Sequence, residues 1–272
     1  MASSSSSPPA AELHDRLSRI KRSTPLGSSL FAAVRTADII LQYGLVAYCA
    51  AFPALRAIGI SSIPVLLPGP FSLPTWANLG ALPLQARLLL ALAAASSIKH
   101  VYWVFRIGET EIRLPDALAI GFFNSLFNSL NSISWAILPV APHLPSALAT
   151  LLTTLGIICP SPRDLNSLPP TFLLGCAMGF GGLALEAVSE IQRRNFKARS
   201  EHKGKAYTQG LFGVARHINY GAYCVWRSGY AMAAAGPVWG ALVFWFFYRD
   251  FKTRGVPVLD RYCAERVSCV RS

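Results

Sequence analysis

Between residues 186 and 231 the chain places charged, amide and aromatic side chains inside an otherwise apolar stretch. Glu186, Glu190, Gln192 and Phe196 follow the spacing E-x-x-x-E-x-Q-x-x-x-F at the end of an apolar segment. Gly210-Leu211-Phe212 comes next, then Ala215-Arg216-His217-Ile218-Asn219-Tyr220, then Arg227 and Gly229-Tyr230-Ala231. A guanidinium presents a fixed fork of donors that binds phosphate or carboxylate bidentately. Asn219 offers both a donor and an acceptor to a ribose or an amide. Tyr220, Tyr223 and Trp226 offer flat faces to an adenine or nicotinamide ring. Arg216, His217 and Arg227, with the Lys and Arg of the 192–205 loop, therefore describe an anion site at a membrane interface. The plainer reading of the same residues has Arg and Lys reaching lipid headgroups while the aromatics form an interfacial belt. On residue types alone, both readings stand.

Other polar groups are scattered through the apolar sequence. Asn124, Asn128 and Asn131 recur at spacings of four and three, with Ser125, Ser129 and Ser132 beside them. An amide facing lipid is costly, so this face should meet other helices or line a polar cavity. Arg35 and Asp38 lie three apart and can pair or sit at the cytosolic rim. Lys99-His100 and the Glu109/Glu111 pair could supply a proton donor, though a solvated helix end and loop account for them more simply. Tyr102 and Tyr223 are further proton-donor candidates, and no catalytic residue is assigned. The six cysteines contain no C-x-x-C pair, so neither a disulfide framework nor a zinc site is expected. The sequence contains no phosphate-binding P-loop, His-rich metal set, Ser-His-Asp arrangement or Asn-x-Ser/Thr sequon. The terminal Cys-Val-Arg-Ser has the position of a prenylation box, but Arg271 occupies an aliphatic position.

The elements that must hold these residues are membrane helices. The chain is 53% hydrophobic and only 14% charged, against about 25% charged in soluble domains. Mean hydropathy is +0.40. The net charge of +12 is carried in short clusters between apolar runs, as in cytosolic loops, so nucleic-acid binding is not expected. Apolar segments long enough to cross a bilayer run over 30–52, 83–105, 116–140 and 170–190. Two shorter stretches, 220–235 and 237–248, are split by Gly236-Pro237 and read as a hairpin, while 144–159 is too short and Pro-bounded to span. Gly175 with Gly179, and Gly181 with Gly182, suit close helix packing. The expected fold is an all-α polytopic membrane bundle of roughly six transmembrane helices. Residues 1–28 form a disordered basic cytosolic tail and 29–272 a helical membrane domain. Basic loops alternating with uncharged ones place both termini in the cytosol, and the expected compartment is the endoplasmic reticulum.

The motif-bearing region resembles the C-terminal part of the steroid 5-alpha-reductase family. Its relatives include uncharacterised reductase-like membrane proteins, the sterol C14 and C24 reductases and the isoprenylcysteine carboxyl methyltransferases. The resemblance covers roughly residues 180–266 and rests on the acidic-x-Gln-x-x-x-Phe helix end, Gly-Leu-Phe, and the Arg-His-x-Asn-Tyr turn. It implies a cofactor-binding C-terminal region in which Glu186, Glu190, Gln192, Arg216, His217, Asn219, Tyr220 and Arg227 hold the cofactor. The implied reaction is NADPH-dependent reduction of a carbon–carbon double bond in a lipophilic substrate such as a sterol, steroid or polyprenoid enone. The alternative is S-adenosylmethionine-dependent methyl transfer to a membrane-embedded acceptor, and a third reading is a non-catalytic remnant of the fold. NADPH brings three phosphates and demands several cations, whereas S-adenosylmethionine brings one carboxylate, so the many basic residues favour NADPH. Several positions depart from the family pattern. Ile218 stands where a proline is usual, Ala222 replaces a glycine, and Tyr223 replaces a cofactor-binding glutamate. Relatives usually continue from Arg-Tyr-Gly into a further basic and aromatic segment, where this sequence has Arg261-Tyr262-Cys263 and nine further residues.

Overall fold

The computed structural model describes residues 20–48, 66–67, 70–137, 166–202 and 205–261. The tail over 1–19, the 144–159 segment, most of the linker before residue 80 and the Cys-Val-Arg-Ser end lie outside the described residues. Regular structure among the described residues is entirely helical. Helix α1 spans Pro25–Tyr48, the short α2 Trp76–Ala81, α3 Leu84–Tyr102, α4 Leu114–Ile137 and α5 Pro170–Lys197. A single turn, α6, covers Leu211–Val214, followed by α7 over Ile218–Ala235 and α8 over Pro237–Asp250. Helices α3 and α8 each run on into one π-helical turn, Trp103–Ile107 and Phe251–Gly255.

Among the described residues, three helices are long and apolar enough to cross a membrane, Pro25–Tyr48, Leu84–Ile107 and Pro170–Lys197. That is fewer than the six crossings expected from sequence. Helix α4 matches α1 in length and is not among these three; its asparagines and serines interrupt an otherwise apolar run. Helices α7 and α8 have 18 and 14 residues, short against the roughly 20 a bilayer asks for. The break between them falls where the sequence placed it. Gly236 has φ +87°, a left-handed conformation that glycine adopts freely, and Pro237 opens the next helix where its missing N–H costs nothing.

Helices α5 and α7 form the closest pair, because glycine leaves no side chain between their backbones. A Cβ built on Gly175 would lie 2.5 Å from the Ala233 nitrogen, and one on Gly182 2.6 Å from the Trp226 nitrogen. Gly229 of α7 meets the Gly179 nitrogen in the same way at 2.5 Å. Gly181 differs from the expectation, since nothing approaches its Cβ position within 4 Å. Helix α1 packs against both α3 and α4, and α8 packs against α7.

Polar side chains tie the core together. Arg35 and Asp38 of α1 pair at 3.0 Å with both side chains fully buried, inside the bundle and not at its rim. The Arg35 guanidinium also donates to Ser96 (3.3 Å) and Ser97 (2.9 Å) of α3 and to Ser125 of α4 (3.4 Å). Asn128 donates to Asp38 at 2.8 Å, Gln42 donates to Asp38 at 2.8 Å, and Ser132 donates to Gln42 at 2.7 Å. Trp239 of α8 donates to Asn131 at 2.8 Å. The amide face of α4 is therefore an interhelical seam whose every asparagine meets another element.

Candidate functional site

Helix α5 ends in the acidic motif, and its last turns carry the residues expected to meet a cofactor. Glu186 is buried, and both of its oxygens are committed. Lys99 of α3 donates to Oε1, and the Trp226 indole of α7 donates to Oε2 at 2.7 Å. The Lys99 side chain is itself 10% exposed, so the solvated helix end expected from sequence is instead a nearly buried ion pair. One turn on, Glu190 is 6% exposed. Asn219, at the start of α7, hydrogen-bonds to its carboxyl, and Lys99 and Arg193 lie within electrostatic reach. The Glu190 Oε2 has no hydrogen-bond partner among the described residues.

Gln192 has a local role. Its Oε1 accepts from the Leu211 backbone N–H at 3.0 Å and so fixes the Gly210-Leu211-Phe212 turn to the end of α5. Gly210 has φ +56°, and a Cβ there would stand 2.6 Å from that same Oε1 and 2.8 Å from the Tyr207 hydroxyl. A side chain at 210 would thus be strained by backbone and blocked by neighbours. The connecting loop is held by rings. Phe196 stacks on His202 at 3.9 Å, Tyr207 leans on Phe196 at 4.8 Å and on Phe212 at 5.6 Å.

The Arg216-His217 turn leads into α7. Arg216 is largely exposed and pairs with Asp260 at 2.9 Å; His217 Nε2 lies 3.3 Å from the same carboxylate oxygen. These are ion-pair distances without hydrogen-bond alignment for Asp260 Oδ1 and His217 Nε2. Asp260 belongs to the helical residues 256–261 that follow the π turn of α8. Tyr220 stacks between His217, at 5.8 Å, and Phe251, at 4.4 Å.

Arg227 does not join this cluster. It lies ten residues beyond His217 along α7, about 15 Å at 1.5 Å per residue. It is 1% exposed and donates to the Tyr223 hydroxyl at 3.1 Å, to Asn128 at 3.4 Å and to Asn124. Its guanidinium sits over Trp226 at 4.3 Å, with Tyr223, Phe247 and Phe127 also within 6 Å. Four aromatic faces and two amide oxygens suit a buried cation. Arg227 thus belongs to the structural seam of α4. Tyr223, raised from sequence as a proton donor, is its hydrogen-bond acceptor.

Sequence reasoning missed Lys99 and His100 as neighbours of the motif. Glu186, the partner of Lys99, lies 87 residues away in sequence, and no periodicity connects α3 with α5. His100 has edge contacts with Phe31 and Trp226, and its buried Nδ1 has no partner among the described residues. Glu109 and Glu111 belong to a different contact. They pair with Lys21 and Arg22, joining the segment before α1 to the loop between α3 and α4. Among the described residues no group of His, Cys, Asp and Glu could hold a metal ion.

Comparison with known proteins places these features in a family. The family described as "Protein of unknown function (DUF1295)" matches residues 123–267, which include most of α4 and all of α5, α7 and α8. The chain is also similar to a protein named "Probable O-methyltransferase ustE" from Ustilaginoidea virens. The two are 32% identical over 248 residues, covering 91% of this chain and 82% of that protein. No solved structure matches. With the match running through the acidic helix end, the Gly-Leu-Phe turn and the Arg-His turn, the chain belongs to the DUF1295 family, a steroid 5-alpha-reductase-like family of membrane proteins.

Proposed function

We propose that the protein is an S-adenosylmethionine-dependent O-methyltransferase acting on a lipophilic acceptor that reaches it through the membrane. The observation that carries this reading is the charge inventory at the end of α5. Of the cations that sequence assembled there, Arg216 is paired with Asp260 and Arg227 is buried in the α4 seam, while Lys99, which the fold adds, is paired with Glu186. Glu190 meanwhile keeps a buried carboxyl oxygen without a hydrogen-bond partner among the described residues. A buried carboxyl with an open acceptor oxygen has nothing to offer the phosphates of NADPH and favours a ligand bearing a positive charge and one carboxylate. The similarity to a protein named as an O-methyltransferase over nine-tenths of the chain supports the same choice.

S-adenosylmethionine, when bound, supplies a methyl group activated on a sulfonium. Arg216 and His217 offer a cationic seat for its carboxylate, in exchange for Asp260. Asn219 and Tyr220, at the first turn of α7, order the site from within, Asn219 by its hydrogen bond to Glu190 and Tyr220 by its stack between His217 and Phe251. Gln192 acts indirectly by fixing the Gly210 turn, and Glu186 acts by holding Trp226 and Lys99. The endoplasmic reticulum, with both termini cytosolic, fits a lipophilic acceptor.

The reductase reading keeps one observation in its favour. Arg193, Arg194, Lys197 and Arg199 crowd the end of α5 and could meet phosphates. A thermal-shift titration of the detergent-purified protein separates the two. S-adenosylmethionine should raise the melting temperature and NADPH should leave it unchanged. At a hundredfold excess over Kd the stabilisation is about 2.7 kcal/mol. Arg216→Ala should weaken that response. A response to NADPH alone overturns the proposal.

A further inference from the structure

The methyl-donor reading leaves open how such a site would tell its donor from its spent product, which differ chiefly by one positive charge. Two carboxylates one helical turn apart stand at the end of α5, and their surroundings treat them differently. Glu186 is fully occupied by Lys99 and the Trp226 indole. Glu190 is more than nine-tenths buried, takes a hydrogen bond from Asn219, has the charges of Lys99 and Arg193 within reach and still has an Oε2 with no hydrogen-bond partner among the described residues. Lys99 comes from α3, outside the region that the family match covers. A buried charge without a partner is expensive unless something neutralises it. A bound cation at Glu190 would do so.

We propose that Lys99 is a positioning residue that neutralises Glu186, so that Glu190 alone supplies the negative charge that selects a cationic sulfonium over its neutral thioether. The inference rests on the methyl-donor reading and adds to it the way donor and product are discriminated. Loss of the methyl group converts the sulfonium to a thioether and removes the charge that Glu190 holds. The Lys99–Glu186 pair contributes no net charge to this discrimination. It orients Trp226 and keeps a second carboxylate from competing.

The test is the ratio of two affinities, measured by calorimetry on the full chain in detergent with S-adenosylmethionine and S-adenosylhomocysteine. The wild-type protein should bind the sulfonium at least about tenfold more tightly, a factor that corresponds to about 1.4 kcal/mol. Glu190→Gln should bring the ratio close to one while still binding the thioether. Lys99→Met should raise the ratio above wild type, because Glu186 is then a second unpaired carboxylate. The double variant Lys99→Met/Glu186→Gln, which removes the pair and leaves an amide oxygen for Trp226, should restore the wild-type ratio. A merely structural role for Lys99 would lower both affinities together and leave the ratio unmoved, which overturns the inference. Equal affinity of the wild-type protein for the two ligands also overturns it, with the methyl-donor reading intact. Binding of neither ligand overturns that reading and the inference with it.

Discussion

Arg227 shows how far a residue's role depends on where its helix carries it. In sequence it stands near Arg216 and His217 and looks like a third cation of one anion site. In the folded chain it is enclosed by Trp226, Tyr223, Phe247 and Phe127 and bonded to two asparagines of α4. Replacing it with Met strands the Asn124 and Asn128 oxygens, at about 1–3 kcal/mol for each buried group left unpaired. Arg227→Met should therefore lower the melting temperature while leaving the affinity of the folded fraction for S-adenosylmethionine unchanged. A large loss of affinity at unchanged stability would return Arg227 to the site. The Arg35–Asp38 pair obeys the same logic more severely. Asp38→Ala leaves a buried guanidinium without its carboxylate and should cost about 3–5 kcal/mol. The double change Arg35→Met/Asp38→Leu should cost less than Asp38→Ala alone, as measured by denaturant titration in mixed micelles. At the surface the effect is small. The Lys21 hydrogen bond holds the Glu109 carboxyl below the usual range near pH 4.3. The pair therefore adds stability above that pH and loses it as pH falls through the lowered folded value. Glu109→Gln should lower the melting temperature slightly at pH 7 and not at all once Glu109 is protonated; both groups are half exposed, so the shift is small.

At the level of elements, spacing within one helix was informative and contact between helices was not. The four-and-three asparagine spacing of α4 announced a face that had to be satisfied, and each amide finds a partner. The three-residue spacing of Arg35 and Asp38 allowed a pair or a place at the cytosolic rim, and the fold makes it the pair. Gly236-Pro237 announced the break between α7 and α8. In contrast, nothing in the sequence near Lys99 points to Glu186, because the bond between α3 and α5 depends on how two helices cross. The glycines show the same division. Their spacing gave the packing face of α5 but not which members touch α7. Gly175→Ala drives a methyl against the α7 backbone, which cannot yield as a side chain would. Overpacking of this kind costs about 1–3 kcal/mol. Gly181→Ala meets open space and gains helix propensity, up to about 1 kcal/mol. Melting curves of the two variants should move in opposite directions. Equal destabilisation would mean that Gly181 also lies in a packed contact.

Across the whole molecule, the family match and the structural core have different boundaries. Residues 123–267 hold the motifs, yet part of what satisfies them comes from outside. Asn128 and Ser132 reach Asp38 and Gln42 of α1, and Glu186 reaches Lys99 of α3. The C-terminal half cut free would keep its internal bonds but lose Asp38 and Gln42 from its amide face and Lys99 from Glu186, inside the bilayer where water cannot replace them. Composition gave an apolar helical protein but could not show this division, because the bonds that cross it pair residues about ninety positions apart. A fragment covering 123–267 should therefore elute as aggregate in detergent. Two chains divided within the 108–113 loop, which contains no helix, should instead co-purify when expressed together, since each supplies the partners the other lacks. Size-exclusion chromatography with circular dichroism decides the matter. A monodisperse, helical 123–267 fragment with the melting temperature of the full chain would mean that α1 and α3 are ornaments on a self-sufficient half. Co-purifying halves that recover the full-length melting temperature would mean that the site at the end of α5 is built by both.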